Sequence, residues 1–324
     1  MANRAIASME LDDVTSISRR WAVTGTITVP ATGLGNTGNV RFTPGSNPAI
    51  LTTLEPNTEY HFGFRFIRES GTGLFTSNGY YALGIDPYGR LAIYTVGGVL
   101  VATTNTLLLP NVRYWIDWST KIHSSTGYTK VYINAANSSA TADATYTGNT
   151  GSSTISFFGF GFPGANITFR AQHFYANDST GGFNDTIWGD TRIIACLPTG
   201  DGTTGLTPTS GSDHYLMVDD TTTDDDSTTV SGASGRDTFV FSALGVDASV
   251  IRSVAINLTA RRNEPSALNL AGTLKTASTF YDATAKQPST DYLVYQFVWE
   301  KNPNTSAAWA QAAVETAEYG VKVV

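Results

Sequence analysis

The chain has 324 residues, enough for two domains of ordinary size, and 41% of them are hydrophobic, enough to build a sizeable core. Only 15% are charged, well below the usual share, and Gly, Thr, Ser and Asn fill the difference. The net charge is −7, and no basic cluster exceeds a pair such as Arg19 and Arg20. The composition favours strands and tight turns over helices, and the diffuse negative charge argues against nucleic-acid binding, which needs a basic face.

Neither a secretory signal nor a membrane span is predicted. The N-terminal stretch MANRAIASMELDD contains no apolar run of the kind that a signal peptide requires. The longest apolar stretch, VGGVLVATTNTLLLP, is interrupted by Thr and Asn and is too short to span a bilayer. We therefore expect a protein that is made in a cytosol and does not insert into a membrane.

Alternating apolar residues dominate the first part of the chain. In TEYHFGFRFI, the side chains of Tyr60, Phe62, Phe64 and Phe66 share one face, the period-two pattern of a strand covered on one side. Hairpin turns at DPYG and GG then separate three short strands. Four further strand patterns follow in VRYWIDWST, YTKVYIN, STISFFGFGF and ITFRAQHFYAND. Turn clusters recur about every ten residues, which is typical of an antiparallel sandwich.

The stretch IWGDTRIIACLPTGDG, residues 187–202, predicts the end of the first domain. Its consecutive isoleucines indicate a last strand, TRIIAC, and LPTGDG is the turn that leaves it. The lone Cys196 cannot form an intrachain disulfide, and we interpret it as a small hydrophobic core residue.

A second β-domain follows a connector of different composition. Residues 198–235 are acidic and rich in Gly and Thr, with few apolar residues. Strand patterns resume at DTFVFSAL and VIRSVAINLTARR, where Val254, Ile256 and Leu258 share a face, and only residues 305–318 have helical propensity. The sequence therefore predicts an all-β protein of two β-sandwich domains, residues 1–197 and 236–324, joined by that connector.

The order of these parts resembles a known domain family. An aromatic strand, a Gly-turn hairpin and a Trp-bearing strand leading into VYIN are similar to concanavalin A-like, laminin-G-like domains, which implies a jelly-roll sandwich for the first domain. The GDTRIIACLPTGDG join, the Asp-rich VDDTTTDDDSTTVS, the GRDTFVFSAL strand and the closing FVWEKNPNTSAAWAQAAVETAEYGVKVV resemble virion proteins of tailed phages and prophages.

The resemblance implies a structural component of a tailed-phage virion, displayed on the tail or capsid and assembled in the host bacterial cytoplasm. Its implied partners are other virion proteins. We expect a homo-oligomer, or a monomer that oligomerises only on the particle, and phage geometry favours trimers and hexamers. The alternative is a carbohydrate-binding, receptor-binding protein for adhesion to the host surface, in which the sandwich presents a glycan site. A sandwich fold alone does not decide between these roles.

The carboxylate pair of a laminarinase-type glycoside hydrolase is missing. That chemistry needs two carboxylates close together on one strand face, one as nucleophile and one as acid/base. Glu10-Leu11-Asp12 is the nearest approach to a Glu-x-Asp-x-Glu pattern, but Val14 occupies the third acidic position. Glu55 and Glu59 flank a Pro-Asn-Thr turn and are interpreted as solvated loop charges, and Glu69 has no carboxylate at this spacing.

Nucleophilic catalysis and zinc binding are not indicated either. His61, His123, His173 and His214 are scattered, and no serine lies in a Gly-x-Ser-x-Gly turn. His173 falls on a predicted strand, where a packed histidine is more usual than a catalytic base. One cysteine and no histidine pair at ligand spacing argue against a structural zinc site. We expect no enzyme activity, no catalytic residues, no cofactor and no metal ion.

The acid run Asp219, Asp220 and Asp224–Asp226 has two interpretations. Calcium binds six to eight carboxylate and carbonyl oxygens, so the run supplies suitable ligands, but it lacks the glycine and the later glutamate of an EF-hand loop. The favoured interpretation is a solvated loop between the domains, kept extended by repulsion of like charges.

Exposed aromatic residues would distinguish a binding surface from a core. Trp115 and Trp118 fall on opposite faces of RYWIDWS, so we expect one of them to be exposed, and Tyr80 and Tyr81 are divided in the same way. An exposed aromatic on the rim of a sandwich is compatible with glycan stacking and equally with a subunit contact.

Overall fold

The computed structural model describes residues 4–7, 18–20, 22–24, 27–28, 40–44, 49–162, 166–221, 224–263 and 268–324. The chain divides into two compact units, residues 1–193 and 194–324. Strands make up most of the regular structure in both units, which confirms the predicted all-β class. Within the described ranges, no helix has the length and apolar content needed to cross a bilayer.

The first unit contains fourteen described strands. They are β1 Arg4–Ala7, β2 Ala22–Thr24, β3 Ile27–Thr28, β4 Val40–Phe42, β5 Ala49–Asn57, β6 Glu59–Ser77, β7 Tyr81–Ile85, β8 Arg90–Thr95, β9 Leu100–Leu107, β10 Arg113–Lys121, β11 Gly127–Ile133, β12 Ala144–Gly148, β13 Ile155–Phe160 and β14 Asn166–Asp178. All pairings are antiparallel. Sheet A contains β1, β3, β4, β10–β12, β14 and the first part of β6. Sheet B contains β2, β5, β7–β9, β13 and the last part of β6.

Strand β6 belongs to both sheets and joins the two layers of the sandwich. Its residues up to Thr72 pair with β10 and β14, and its residues from Gly73 pair with β7 and β13. Two glycines with positive φ, Gly71 at +79° and Gly73 at +123°, lie where the strand changes sheets. A Cβ on Gly71 would lie 2.0 Å from the carbonyl oxygen of Asn166, so a larger residue does not fit beside β14.

The core between the sheets is predominantly aromatic. Phe62, Phe64 and Phe66 are fully buried, as the alternation predicted, and Trp118 packs against Phe62 from the neighbouring strand. The rings of Phe62 and Phe158 lie 4.6 Å apart. Full burial of one such side chain contributes about 1.5–3 kcal/mol, so this cluster dominates the stability of the sandwich.

The second unit is a smaller sandwich. Its elements are β15 Pro198–Asp201, β16 Thr207–Pro208, a 3-10 helix His214–Met217, β17 Val230–Ser231, β18 Gly235–Phe241, β19 Val254–Ala260, β20 Leu270–Thr276, β21 Thr279–Asp282, β22 Leu293–Trp299, α1 Gln311–Glu315 and β23 Glu318–Val323. Five strands form one sheet in the order β15-β18-β23-β20-β21, whereas β19 and β22 form a separate ladder. The predicted helix within 305–318 is therefore limited to the five residues of α1.

The ladder of β19 and β22 packs against the five-stranded sheet. Ile256, Leu274 and Tyr319 belong to one buried cluster, and Val254 and Leu258 pack against it, which confirms the shared face predicted for β19. Gly272 allows the closest approach, because a Cβ there would lie 2.7 Å from the ring of Phe297.

The prediction that TRIIAC forms the last strand of the first domain is wrong. Residues 187–197 form no strand, and the next strand, β15, pairs with β18 in the second unit. Ile193, Ile194 and Cys196 are all partly exposed, so the expectation that Cys196 is a core residue is also wrong. Short apolar runs occur in extended connecting segments as well as in strands, and periodicity cannot separate the two. The segment predicted as a connector, 198–235, contains β15, β16 and β17 and lies in the second unit.

Candidate functional site

The outer face of sheet A brings together polar groups from three central strands. The register places Asp117 of β10 opposite Gly63 of β6, and Gly63 opposite Tyr175 of β14. Two residues further along β10, on the same face, Ser119 lies opposite His61. Directly paired residues point to the same face of a sheet, so these side chains converge although they are distant in sequence.

A segment of residues 184–190, the strap, covers part of this face. Trp188 stacks on Tyr175 with ring centroids 4.2 Å apart, and its backbone N–H donates to the Tyr175 hydroxyl at 2.7 Å. The amide of Asn177 donates to the carbonyl of Thr186 at 3.0 Å. The strap therefore closes the sheet face with both ring stacking and hydrogen bonds.

Asp117 lies beneath the strap and is fully buried. Its Oδ2 accepts the indole N–H of Trp115 at 2.9 Å, and its Oδ1 accepts the hydroxyl of Tyr175 at 2.5 Å. Burial raises the pKa of Asp117 to about 7, and the charge of Asp190 adds to the increase, against the hydrogen bonds from Tyr175, Trp115 and the Gly189 N–H. The sequence places Asp117 in a strand but does not show that it is buried, because the groups that surround it belong to β14 and to the strap.

A second group of polar residues lies beside Asp117. The Nδ1 of His61 and the Oγ of Ser119 are 2.8 Å apart, and the Nε2 of His61 lies 4.0 Å from the Oε1 of Glu59. Glu59 also accepts a hydrogen bond from the hydroxyl of Tyr128 and lies 3.5 Å from the Nζ of Lys121. Glu59 is therefore part of a polar cluster on the sheet, not the solvated loop charge that the sequence predicted.

Serine, histidine and glutamate in this order resemble the residues of a nucleophilic triad, but their burial and spacing differ from those of a triad. Ser119 is 3% exposed and His61 is 5% exposed, so both side chains are buried. The separation of 4.0 Å between His61 and Glu59 is an ion-pair distance and is too long for a hydrogen bond that orients the ring. The arrangement stabilises the sheet face through polar contacts.

Glu55 and Glu69 are the remaining candidate carboxylates that the structure describes, and they lie on different strands, β5 and β6. Glu10 and Asp12 lie outside the described residues. Glu69 accepts hydrogen bonds from Arg41 and Arg170, which hold its pKa below its ordinary value although burial raises it. Glu55 is exposed at the end of β5.

The other histidines lie on different elements of the fold. His173 is fully buried at a bulge of β14 with φ +49°. Burial lowers its pKa to about 3, and the charges of Arg65, Arg192 and Arg113 lower it further, so the ring is neutral. His123 lies in the turn that precedes β11, where its Nδ1 accepts the backbone N–H of Thr126 at 3.0 Å.

His214 belongs to the second unit and pairs with a buried acid. Its Nδ1 lies 2.6 Å from the Oδ2 of Asp237, whose side chain is fully buried. The other oxygen of Asp237 accepts the backbone N–H groups of Gly205 and Leu206 at 2.7 and 2.8 Å. Through these three contacts Asp237 holds Gly205, Leu206 and His214 against β18, which is a structural role.

The acid run is held by neighbouring side chains. The Thr228 hydroxyl lies 2.9 Å from Asp220 and 2.7 Å from Asp224. Asp226 accepts hydrogen bonds from Arg261 and from Tyr292. Among the residues that the structure describes, no group of three or more His, Cys, Asp or Glu side chains could hold a metal ion.

Trp115 and Trp118 point to opposite faces of β10, as predicted, but the expectation that one is exposed is wrong. Trp118 is in the core and Trp115 lies on the outer face of sheet A near the strap, and their exposures are 0% and 1%. Tyr80 is partly exposed and Tyr81 is buried. The sequence could not show that the outer face is covered, because the strap is distant from β10 along the chain.

An open hollow lies on the outer face of sheet B. It has a volume of about 400 Å³ and is lined by Arg20, Ala22, Leu51, Thr52, Thr53 and Phe157. Phe157 is 37% exposed and Leu51 is 38% exposed. Its lining therefore combines an exposed aromatic ring with a guanidinium group.

No protein-family model matches the sequence, and no curated protein matches it. Among solved structures, the chain is similar to peanut lectin, with 9% identity over 54% of this chain and 97% of the lectin and a TM-score of 0.36. It is also similar to basic winged bean lectin (9% identity, 55% and 98% covered, TM-score 0.37) and to a galectin-like protein from Bacillus subtilis (11%, 55% and 98%, 0.36). At these identities and TM-scores, no binding property of those proteins is transferred to this chain.

Proposed function

We propose that this chain is a non-enzymatic structural protein on the surface of a tailed-phage virion, a tail, fibre or capsid-associated appendage. The observation that carries the non-enzymatic part is the burial of the reactive groups. Ser119, His61 and Asp117 are each at most 5% exposed, whereas catalysis requires groups that reach a substrate.

The virion part of the proposal is supported by the resemblance in the second half of the sequence. Two compact all-β units and a low content of charged residues are compatible with a particle component. Other virion proteins are its proposed partners, and the proposed location is the assembled particle.

Particle composition tests this proposal. We expect mass spectrometry of particles purified on a density gradient to find the chain in a fixed ratio to the major capsid protein. A map of the intact particle should show it on the tail or capsid surface. Its absence from infectious particles, with the protein present only in the soluble lysate, would contradict the virion role.

A second candidate function is carbohydrate binding for host adhesion, and one observation favours it. The exposed ring of Phe157 lies at the hollow on sheet B together with Thr52 and Thr53, and sugar rings stack on such aromatic faces. A glycan array with Phe157→Ala tests it. The matched control is Tyr88→Ala, which removes a 75% exposed aromatic in the turn before β8. Binding that is lost in the first variant and retained in the second would favour the adhesion role.

A further inference from the structure

Two adjoining loops of the first unit carry exposed apolar side chains. Tyr88, in the turn that joins β7 to β8, is 75% exposed. Leu107, at the end of β9, is 51% exposed. In the loop that joins β9 to β10, Leu109 is 54% exposed and Val112 is 39% exposed. These four residues are called the apolar tip below. Large apolar side chains that are exposed together mark an interaction surface more often than a free surface.

The backbone beneath the tip fixes both loops. Leu108 is fully buried in the core, and its N–H donates to the carbonyl of Gly89 at 2.8 Å, which joins the loop to the turn. The hydroxyl of Tyr114 accepts the N–H of Leu109 at 3.0 Å and donates to the carbonyl of Leu107 at 3.4 Å. The exposed leucines therefore belong to an anchored loop, and the two loops form one surface.

Arginine side chains adjoin the tip. Arg113 is exposed at the start of β10, directly after the loop. The guanidinium of Arg90 lies 5.1 Å from the centre of the Tyr88 ring. Arg68 lies beside the turn, because a Cβ on Gly89 would lie 3.4 Å from its Nη1. The Nε of Arg68 is buried and has no hydrogen-bond partner among the residues that the structure describes.

The carboxylate of the turn does not offset this positive charge. Asp86 is the one acidic residue that the sequence contains between positions 70 and 116. It accepts the backbone N–H groups of Tyr88 and Arg90, and its Oδ2 lies 2.8 Å from the Arg90 guanidinium. Burial raises the pKa of Asp86, but these hydrogen bonds and the charge of Arg90 hold it below its ordinary value. The carboxylate is therefore neutralised within the turn.

The row of sheet A that begins at Arg113 is also basic. The register aligns four residues across β10, β6, β14 and β4, namely Arg113, Ile67, Arg170 and Arg41. Glu69, two residues after Ile67, forms ion pairs with both Arg170 and Arg41. Three arginines thus face one carboxylate, although residues 1–193 as a whole contain equal numbers of acidic and basic residues. The positive charge is a local feature of this part of the unit.

We propose that the apolar tip and its arginines bind the surface of a membrane that contains anionic phospholipids. Leucine and valine side chains gain free energy when they leave water for the headgroup region, and tyrosine is favoured at the same depth. The arginines beside them attract the phosphate groups of the lipids. Contact of this kind is interfacial and needs no membrane-spanning segment.

The combination of apolar and basic residues favours a bilayer over a soluble polyanion. A polyanion is held by arginine but gains little from exposed leucine and valine side chains. The hairpin at the other end of β8 and β9 provides an internal comparison, because Val96, Val99 and Leu100 are 44%, 63% and 52% exposed there. The sequence has no charged residue between Arg90 and Arg113, so that hairpin is apolar without being basic. We expect it not to bind the membrane.

Co-sedimentation of the full chain with lipid vesicles tests the proposal. We expect binding to vesicles of phosphatidylcholine mixed with phosphatidylglycerol, weaker binding to phosphatidylcholine alone, and a decrease as the salt concentration rises. Leu109→Glu should weaken binding about tenfold or more, and Arg113→Glu about fivefold or more. The matched controls are Leu100→Glu, at the opposite end of β9, and Lys301→Glu, an exposed residue of the second unit. Both should bind as the wild-type protein does.

Fluorescence quenching tests separately whether the tip enters the lipid. In mixed vesicles that contain brominated phosphatidylcholine, we expect Tyr88→Trp to be quenched more strongly than the wild-type protein. Leu100→Trp, at the other hairpin, should be quenched no more than the wild-type protein. The reverse order would contradict the assignment of the tip.

Circular dichroism and thermal unfolding establish that each variant is folded. A wild-type chain that does not bind the mixed vesicles would overturn the proposal, and so would unchanged binding by folded Leu109→Glu or Arg113→Glu. Binding to dextran sulfate that is as tight as binding to vesicles and is unchanged in Leu109→Glu would indicate a polyanion site and would also overturn it. The proposal does not depend on a role in a virion. None of these results concerns the presence of the chain in particles, so its failure is distinct from a failure of the proposed function.

Discussion

The hydroxyl of Tyr175 donates to Asp117 at 2.5 Å and accepts the backbone N–H of Trp188 at 2.7 Å. One phenol therefore joins a buried carboxyl group of sheet A to the strap that covers it. The contact explains why the outer face of β10 is closed to solvent, and it couples the protonation of Asp117 to the stability of the first unit.

We expect the stability of the first unit to fall as the pH rises towards neutrality. The pKa of Asp117 is about 7 in the folded chain against an ordinary 3.8, so folding takes up a proton between these two values. The stabilisation is complete below the ordinary pKa and is lost as the pH rises through about 7. Between these two pKa values, each unit rise in pH lowers the free energy of unfolding by up to about 1.4 kcal/mol through this group.

Denaturant unfolding of the wild-type protein and of Asp117→Asn across this pH window checks that slope. The variant cannot titrate at this position, so its free energy of unfolding should depend less on pH. Parallel pH profiles for the two proteins would show that the carboxyl group titrates outside this range.

Removal of the Tyr175 hydroxyl should destabilise the first unit and loosen the strap. Tyr175→Phe removes the hydrogen bond that Asp117 accepts and the one that the Trp188 N–H donates. Loss of a buried hydrogen-bond partner costs about 1–3 kcal/mol. Urea unfolding measures the cost, and acrylamide quenching of tryptophan fluorescence should increase. The control is Tyr80→Phe, which removes an exposed 3.3 Å contact with the Thr154 carbonyl and should change little. Equal effects of the two substitutions would contradict the role assigned to Tyr175.

Gly63→Ala should disturb the same site by steric overlap. The added Cβ would lie 2.0 Å from the Cε1 of Tyr175, so the ring must move away from β6. Overpacking of this kind costs about 1–3 kcal/mol. Gly200→Ala is the matched control, because nothing lies within 4 Å of its added Cβ. Thermal unfolding of both variants checks the difference, and an unchanged melting temperature for Gly63→Ala would show that the ring accommodates a methyl group.

Asp237→Ala should selectively destabilise the second unit. The substitution removes the acceptor for the Gly205 and Leu206 N–H groups and the partner of His214. Loss of one member of a buried polar pair costs on the order of 3 kcal/mol. Limited proteolysis should then cut within residues 194–324 while the first unit stays intact. Asp226→Ala, which changes an exposed ion pair with Arg261, is expected to have little effect. Equal protease resistance of both variants would contradict a structural role of Asp237.

Divalent cations are not expected to stabilise the acid run. Asp226 is held by Arg261 and Tyr292, and Asp220 and Asp224 share the hydroxyl of Thr228. Calcium would have to displace these partners to complete its set of oxygen ligands. Melting curves in EDTA and in excess calcium should coincide. A higher melting temperature in calcium that is lost in Asp224→Asn would instead indicate a metal site.

Local sequence patterns correctly predicted the features that depend only on neighbouring residues of one strand. The alternation of Tyr60, Phe62, Phe64 and Phe66 identified a core strand, and Val254, Ile256 and Leu258 identified the buried face of β19. The all-β class follows from the same patterns, because side-chain alternation is a property of the strand itself.

Tertiary structure alone decided which outer faces are covered and which polar groups meet. Trp115 alternates with Trp118 as predicted, yet it is buried on the outer face of sheet A, beside Tyr175, whose hydroxyl accepts the backbone N–H of Trp188 in the strap. The convergence of Asp117, Tyr175 and Trp188 depends on the pairing of β10, β6 and β14, which no local pattern encodes. The sequence alone determined which residues alternate along each strand, whereas long-range pairing and packing decided their neighbours, their burial and therefore their chemistry.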